Sequence, residues 1–241
     1  MLTVIQKDKL VYVVLAALAL GFAAWALFTY LVLIALFQES WGWASVALGS
    51  ISLTGIFLAA LGHPRTVNWL WRKIPALNWW LAPNLNGEFQ LETSSNWSIQ
   101  KRMLDCIEGR DEQTNAAQDT NELLTVTGRL TIKLGLFGIE AHYLPDTQEA
   151  SRSESFVVAA ALESRRRDGC FWFHYVYEGR VPDPIVATDH DSYYGSASLR
   201  IARDSLDSLA GYYWTNRSWR EGINTAGKAQ LRRIAPQQAA G

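Results

Sequence analysis

The amino-acid sequence predicts a membrane-anchored all-β protein, with an N-terminal two-helix transmembrane hairpin followed by a small eight-stranded antiparallel β-barrel. Three observations lead to this fold class. Uncharged, apolar residues are concentrated in the first quarter of the 241-residue chain, where they form two long runs. Beyond them, short stretches alternate between apolar and polar residues, which is the period of strands with one buried face. Turn residues separate these stretches, and no stretch of comparable length shows a helical period.

Two uncharged runs, at residues 10–37 and 41–62, predict the hairpin. A helix needs about 20 mostly apolar residues to cross the hydrocarbon core of a bilayer, and both runs reach that length. Only Gln38, Glu39 and Ser40 separate the runs. Because lipid offers no hydrogen-bond partner to an open backbone, we expect two antiparallel helices joined by a tight turn. Neither run contains a charged residue, which disfavours an ion relay or a substrate-coupled transporter.

Basic residues flank the hairpin at both ends. Lys7 and Lys9 precede the first run, and Arg65, Arg72 and Lys73 follow the second. Because cytoplasmic flanks of membrane helices carry an excess of Lys and Arg, both chain termini are expected on the cytoplasmic side. A cleaved signal peptide is disfavoured, because the first apolar run continues far beyond a cleavage pattern of small residues and a second run follows.

The sequence divides into four segments: the hairpin at residues 1–63, a juxtamembrane amphipathic linker at 64–82, the barrel at 83–236 and a disordered tail at 237–241. The linker holds Trp69, Trp71, Trp79 and Trp80 together with basic residues. Indole rings favour the headgroup layer of a bilayer, so a short interfacial helix or collar is expected there. The alternative is that these tryptophans belong to the core of the following domain.

Eight stretches predict the strands of the barrel. The clearest alternation runs over residues 124–134, and the others lie at 86–97, 137–143, 153–163, 170–177, 192–202, 211–217 and 226–234. Closing an antiparallel sheet removes exposed strand edges, which favours a barrel over a sandwich. A barrel of eight strands encloses a space that side chains nearly fill or that holds one small ligand.

Several function classes are disfavoured by composition and motifs. A net charge of −1 argues against binding to long nucleic acids, which usually requires a basic excess. The sequence lacks the HExxH, paired CxxC, GxSxG and phosphate-loop motifs, so no catalytic residue, metal site or cofactor is predicted. Asp189, His190 and Asp191 read as a solvated turn between strands, and Cys106 and Cys170 as reduced thiols.

Two aromatic strands supply candidate ligand-binding residues. Alternate positions of a strand share a face. One face of the stretch 211–217 holds Tyr213, Thr215 and Arg217; one face of the stretch 170–177 holds Phe171, Phe173, Tyr175 and Tyr177, with Arg180 just beyond. Aromatic faces stack on bases and an arginine fork holds phosphate, so a nucleotide is a candidate ligand. Packing of the aromatic residues in the barrel core is the alternative.

The order of these features resembles a known family. Two apolar runs precede residues 84–87 (NLNG), which open a strand ending in Trp97; a tyrosine-rich strand leads towards His190, and the block 211–217 (GYYWTNR) precedes a last strand. This order, over nearly the whole chain, resembles the two-transmembrane β-barrel effectors of bacterial cyclic-oligonucleotide-based antiphage signalling (CBASS). The block 211–217 is similar to the family's G-x-Y-x-T-x-R pattern.

The resemblance implies an antiphage defence effector of the bacterial inner membrane whose cytoplasmic barrel binds a cyclic dinucleotide made by a partner cyclic-nucleotide synthase. It also implies that the chain self-associates into oligomers and disrupts the lipid bilayer, which causes abortive infection. The candidate ligand-binding set is then Arg217, Thr215, Tyr213, Tyr175, Tyr177, Trp97, Arg180 and His190.

The residues alone leave two other classes open. One is a membrane-tethered, lipocalin-like carrier or scaffold that binds an apolar ligand. The other is an interaction module whose barrel is solid with side chains. An enzyme is not expected, for want of an acid, a base or metal ligands.

Overall fold

The computed structural model describes residues 7–28, 30–31, 43–109, 123–146, 154–165, 169–181, 192–201, 205–217, 219, 222 and 224–234. Beyond the first two residues, the chain divides into two compact units. A helical unit comprises Thr3–Asn84 and Leu134–Gly138, and a barrel unit comprises Leu85–Lys133 and Ile139–Gly241. The predicted hairpin turn around Glu39 and the predicted tail at 237–241 lie outside the described residues.

The helical unit contains four helices in its described part. They are α1 (Lys7–Phe28), α2 (Trp43–Gly62), α3 (Pro64–Lys73) and α4 (Leu77–Trp80). Helices α1 and α2 pack against each other, and a Cβ atom at Gly49 would overlap the indole of Trp25. Within the described residues, no helix combines the length and the apolar character needed to cross a bilayer. Both predicted helices are therefore present, while their role as membrane spans stays a prediction.

A single residue separates the end of helix α2 from the start of helix α3. His63, in extended conformation, occupies the N-cap, and its Nδ1 accepts a hydrogen bond of 3.2 Å from the backbone N–H of Arg65. Pro64 fills the first helical position, where its missing N–H costs nothing. The buried core of this unit consists of Leu61, Val67, Trp71, Leu81 and Leu136.

The barrel unit is a closed antiparallel sheet of eight strands in sequential order. They are β1 (Gly87–Ser95), β2 (Leu124–Leu134), β3 (Ile139–Pro145), β4 (Glu154–Arg165), β5 (Cys170–Arg180), β6 (Ser192–Ile201), β7 (Ser208–Thr215) and β8 (Ala226–Arg233). Strand β1 closes the ring, because Leu91 lies opposite Gly128 of β2 and opposite Leu231 of β8. The predicted eight-stranded antiparallel barrel is confirmed.

One helix was not predicted. Strand β1 ends at Ser95 instead of reaching Trp97, and helix α5 (Trp97–Ile107) follows. Ser95 ends the strand because its Oγ accepts a hydrogen bond of 3.1 Å from the backbone N–H of Trp97. Asn96 holds the turn, since its Oδ1 accepts a bond of 2.9 Å from the backbone N–H of Ala226 on β8.

The barrel interior has two different halves. In one half, large apolar side chains fill the space and are almost completely buried: Phe89, Ile132, Phe173, Leu199, Ile201, Leu209 and Leu231. We call this the apolar half. The other half, towards the ends of β1, β3, β5 and β7, is lined by Tyr143, Tyr175, Tyr177, Tyr193 and Tyr213. We call it the tyrosine end.

Candidate ligand-binding site

The tyrosine end is a continuous aromatic cluster that begins at the apolar half. The ring centroid of Phe173 lies 5.0 Å from that of Tyr175, and the centroid of Tyr175 lies 5.9 Å from that of Tyr177. Tyr193 meets Tyr177 edge-on, with centroids 6.5 Å apart. These distances are within the range of favourable aromatic pairs, so each ring fixes the position of the next.

Glycines on neighbouring strands make room for three of these rings. A Cβ atom at each glycine would overlap a tyrosine ring: Gly128 faces Tyr143, Gly179 faces Tyr193, and Gly195 faces Tyr177. In two cases the glycine is the direct cross-strand partner of the tyrosine, at Gly179 with Tyr193 and at Gly195 with Tyr177. The rings therefore lie across the neighbouring strand, an arrangement that covers backbone and fixes the side chain.

Burial extends the pH range over which the tyrosine hydroxyls stay neutral. It raises the pKa of Tyr143 to about 12, assisted by Tyr193 and Asp146. Burial likewise raises the pKa of Tyr175 and of Tyr177 well above the ordinary value of 10.0. At neutral pH these hydroxyls can therefore both donate and accept hydrogen bonds without carrying charge.

Tyr213 differs from the others because a partner hydroxyl contacts it. Burial raises the pKa of Tyr213, and a side-chain hydrogen bond with Ser95 opposes part of that increase. Ser95 is itself buried, at the end of β1. Because the Ser95 hydroxyl also accepts from the N–H of Trp97, it joins the start of α5 to the aromatic cluster.

Thr215 and Arg217 complete this end of the barrel. The Oγ1 atoms of Thr215 and Thr225 lie 2.6 Å apart, and the N–H of Arg217 donates to Oγ1 of Thr215 over 3.3 Å. The guanidinium carbon of Arg217 lies 5.5 Å from the ring centroid of Tyr193, which is the geometry of a cation–π contact. A positive charge is thus placed beside the neutral hydroxyls.

Asn216, between Thr215 and Arg217, fixes this segment of the chain to strand β6. Its backbone N–H donates to the carbonyl of Tyr194 over 2.8 Å, and its Oδ1 accepts from the N–H of Tyr194 over 2.7 Å. The end of β7 is therefore fixed to β6 by backbone and side chain together. These two hydrogen bonds also fix the position of the backbone next to Arg217.

The structure brings together five of the eight predicted ligand-binding residues: Tyr175, Tyr177, Tyr213, Thr215 and Arg217. Trp97 opens α5 beside this end and is half-buried. Arg180 lies elsewhere, exposed on the outer surface, where its Nε donates to Glu178 over 3.0 Å and its guanidinium lies 5.9 Å from the ring of Phe156. His190 lies outside the described residues.

Sequence reasoning missed Tyr143, Tyr193 and Ser95, and the role of the three glycines. Tyr143 closes the stretch 137–143 and Tyr193 stands near the start of the stretch 192–202, so both were within predicted strands. What connects them to the site is strand register, and a shift of one residue would turn each side chain outward. A glycine paired with a tyrosine becomes visible only once the partner strand is known.

The fold and this end define an eight-stranded antiparallel barrel with one solidly apolar half and one polar, aromatic-lined end. No protein-family model matches the chain. The chain is similar to CD-NTase-associated protein 15 of Escherichia albertii, with 36% identity over 67 residues. That similarity covers 28% of this chain and spans 34% of the relative's length.

Proposed function

We propose that this protein is an effector of bacterial CBASS antiphage defence whose barrel binds a cyclic dinucleotide at the tyrosine end. The partial similarity to CD-NTase-associated protein 15 supports involvement in antiphage defence and a functional link to a cyclic-nucleotide synthase. On binding, the protein oligomerises and disrupts the inner membrane, which causes abortive infection.

The observation that carries this proposal is the chemistry of the tyrosine end. A cyclic dinucleotide offers two bases that stack on aromatic rings and two phosphates that accept hydrogen bonds. The tyrosine end offers aromatic rings that are tilted or edge-on to one another, neutral hydroxyls from Tyr177 and Thr215, and the guanidinium of Arg217 beside Tyr193. Arg is well suited to phosphate because its donors form a fixed fork.

A carrier of apolar ligands fits this interior less well. Such a carrier requires an accessible apolar space, whereas side chains such as Phe173, Leu199 and Leu231 fill the apolar half and are 0% exposed. The opposite end of the interior is lined with hydroxyl-bearing side chains, Tyr177 and Thr215 among them. The composition of that end therefore supports a polar ligand over a lipid.

The membrane part of the proposal rests on the sequence of the N-terminal region. Helices α1 and α2 overlap the two uncharged runs at residues 10–37 and 41–62, and the flanking Lys and Arg residues support a cytoplasmic location for both chain ends. A ligand shifts assembly only through a difference in affinity between the free and the assembled state. Cyclic dinucleotide bound at the tyrosine end therefore has to favour the oligomer.

The test is the affinity of the full chain, purified in detergent, for a panel of cyclic dinucleotides measured by calorimetry. Arg217→Ala should weaken binding about 10- to 100-fold, the usual loss for one hydrogen-bonded charge. Arg129→Ala is the matched control, because it removes the same charge from an exposed position on β2. Absence of binding by the unaltered chain, or equal affinities for the two variants, would refute the proposed site. Lipid recovered with the purified barrel would instead favour the carrier.

A further inference from the structure

Helix α3 has an apolar buried face and an exposed face that is mostly basic. Val67 and Trp71 are 1% and 3% exposed and pack in the core of the helical unit. Trp71 is fixed there, because its Nε1–H donates to the carbonyl of Ala82 over 2.6 Å. The opposite face carries Arg65, Trp69, Arg72 and Lys73, which are all exposed. Their spacing of i, i+4, i+7 and i+8 places them along one side of the helix.

Three tryptophans of the segment that contains α3 and α4 are exposed to solvent. Trp69, Trp79 and Trp80 are 60%, 40% and 51% exposed, in contrast to the buried Trp71. Ile74, between α3 and α4, is 47% exposed. Large apolar side chains that are grouped on a surface mark a site of contact with another molecule or with a membrane. The three exposed tryptophans are therefore not explained by packing within the helical unit, in contrast to Trp71.

The charge of the segment indicates what it contacts. No Asp or Glu occurs between Glu39 and Glu88, so all formal charge in that stretch is positive. Tryptophan prefers the headgroup layer of bilayers, and clustered Lys and Arg attract anionic lipids. One residue, His63, separates this helix from the end of α2, so the exposed face begins where the second apolar run stops.

We propose that Arg65, Trp69, Arg72, Lys73, Trp79 and Trp80 form a tryptophan collar that lies in the headgroup layer of an anionic phospholipid bilayer. The collar deepens the proposed function, since it rests on a membrane location for this chain. It is distinct from the hairpin, because it lies in the plane of the interface and depends on lipid charge. Each basic residue is expected to contribute about fivefold to the preference for anionic lipid.

The test measures the depth of single sites in the full chain reconstituted into vesicles of phosphatidylethanolamine and phosphatidylglycerol. Cys106, which is exposed, is replaced by serine, while Cys170 is buried and stays. A nitrobenzoxadiazole label is attached at Trp69→Cys, or in a second variant at Trp80→Cys. The matched control is Trp219→Cys on the barrel, because Trp219 is also 60% exposed. Lipids spin-labelled at the headgroup then quench any label that lies in the interface.

We expect headgroup lipids to quench the labels at positions 69 and 80 at least about threefold more than the label at 219. Replacing phosphatidylglycerol with phosphatidylcholine should reduce that quenching, as should Arg72→Gln with Lys73→Gln. The control for the charge variant is Lys101→Gln with Arg102→Gln on α5, which should leave quenching unchanged.

Three outcomes would overturn the collar. The first is headgroup quenching at position 69 that is no greater than at position 219, and the second is equal quenching in vesicles with and without phosphatidylglycerol. The third is a label that neither headgroup lipid nor aqueous iodide quenches, which would mean that a protein partner covers this face. The hairpin is tested separately with a label at Leu20→Cys and lipids that carry the spin label deep in the acyl chain. Failure of that label to be quenched would contradict the membrane spans of the proposed function, and the labels at 69 and 80 would still decide the collar.

Discussion

Replacing Gly195 with alanine tests whether the glycine–tyrosine pairs shape the tyrosine end. Gly195 lies directly between Tyr177 on β5 and Thr215 on β7, so β6 is paired on both sides at this point. The new methyl group would occupy the space of the Tyr177 ring. The Tyr177 ring cannot move away freely, because Tyr175 on the same strand and Tyr193 on β6 both contact it.

The magnitude follows from this enclosure. Inserting a methyl group into a well-packed interior costs about 1 to 3 kcal/mol. For a domain of about 150 residues, each kcal/mol lowers the Tm by about 2 to 4 °C, so a fall of several degrees is expected. Gly138→Ala is the control, since a Cβ atom there would meet no atom within 4 Å. The assay is thermal unfolding of the full chain, followed by near-UV circular dichroism.

A double-mutant cycle identifies the cause of the loss. Once Tyr177→Ala has removed the ring, Gly195→Ala should cost almost nothing, so the two changes should show a coupling energy of at least about 1 kcal/mol. If Gly195→Ala is as stable as Gly138→Ala, or if its cost is the same with and without Tyr177, the glycine does not serve the ring and the reasoning fails.

Two more predictions concern the polar groups of the same end. The pKa of Tyr143 is about 12 in the folded state and 10.0 in the unfolded chain. The higher affinity of the folded state for this proton therefore contributes about 2 to 3 kcal/mol to the free energy of unfolding below pH 10, and this contribution is lost as the pH rises towards 12. Denaturant unfolding between pH 10 and 12 should show a smaller decrease in the free energy of unfolding for Tyr143→Phe than for the unaltered chain. The control Tyr212→Phe, which alters an exposed ring, should show the same decrease as the unaltered chain. The prediction is contradicted if the free energy of unfolding of Tyr143→Phe falls with pH as steeply as that of the unaltered chain. Thr215→Val should destabilise the barrel by about 1 to 2 kcal/mol, because the Thr225 hydroxyl and the Arg217 N–H lose a partner. Urea midpoints measure this against Thr125→Val at an exposed site, and matching midpoints would show that the hydroxyl pair is unimportant.

Alternation of residue types predicted the barrel well, because each strand has one face inside and one outside. The stretch 124–134 coincides with β2. The boundary between β1 and α5 was not predicted. It depends on hydrogen bonds that the side chains of Ser95 and Asn96 accept from backbone N–H groups, and the alternation of apolar and polar residues carries no information about such bonds. Helix α5 does carry a helical signal in Ile99, Met103 and Ile107, at spacings of four residues.

The candidate site was only partly accessible to sequence reasoning. Arg217 continues the face of Tyr213 and Thr215, and the structure places it at the tyrosine end. Arg180 is an odd number of positions from Tyr177, so strict alternation already assigns it to the other face, and the structure places it outside. The two cross-strand pairs of glycine with tyrosine, Gly179 with Tyr193 and Tyr177 with Gly195, join residues that are far apart along the chain, and nothing local in the sequence specifies that register.

Ring closure between β1 and β8 has a consequence for assembly. Each of the eight strands already pairs with two neighbours, so no described strand can accept an added strand from a peptide or a second copy. Among the described residues, the outer wall of the barrel carries exposed aromatic side chains that are candidates for contacts between barrels, such as Tyr194, Tyr212 and Trp214, which are 52%, 63% and 52% exposed. Single substitutions at these outer-wall positions are expected to change the surface available for contacts while the hydrogen bonding of the sheet stays the same.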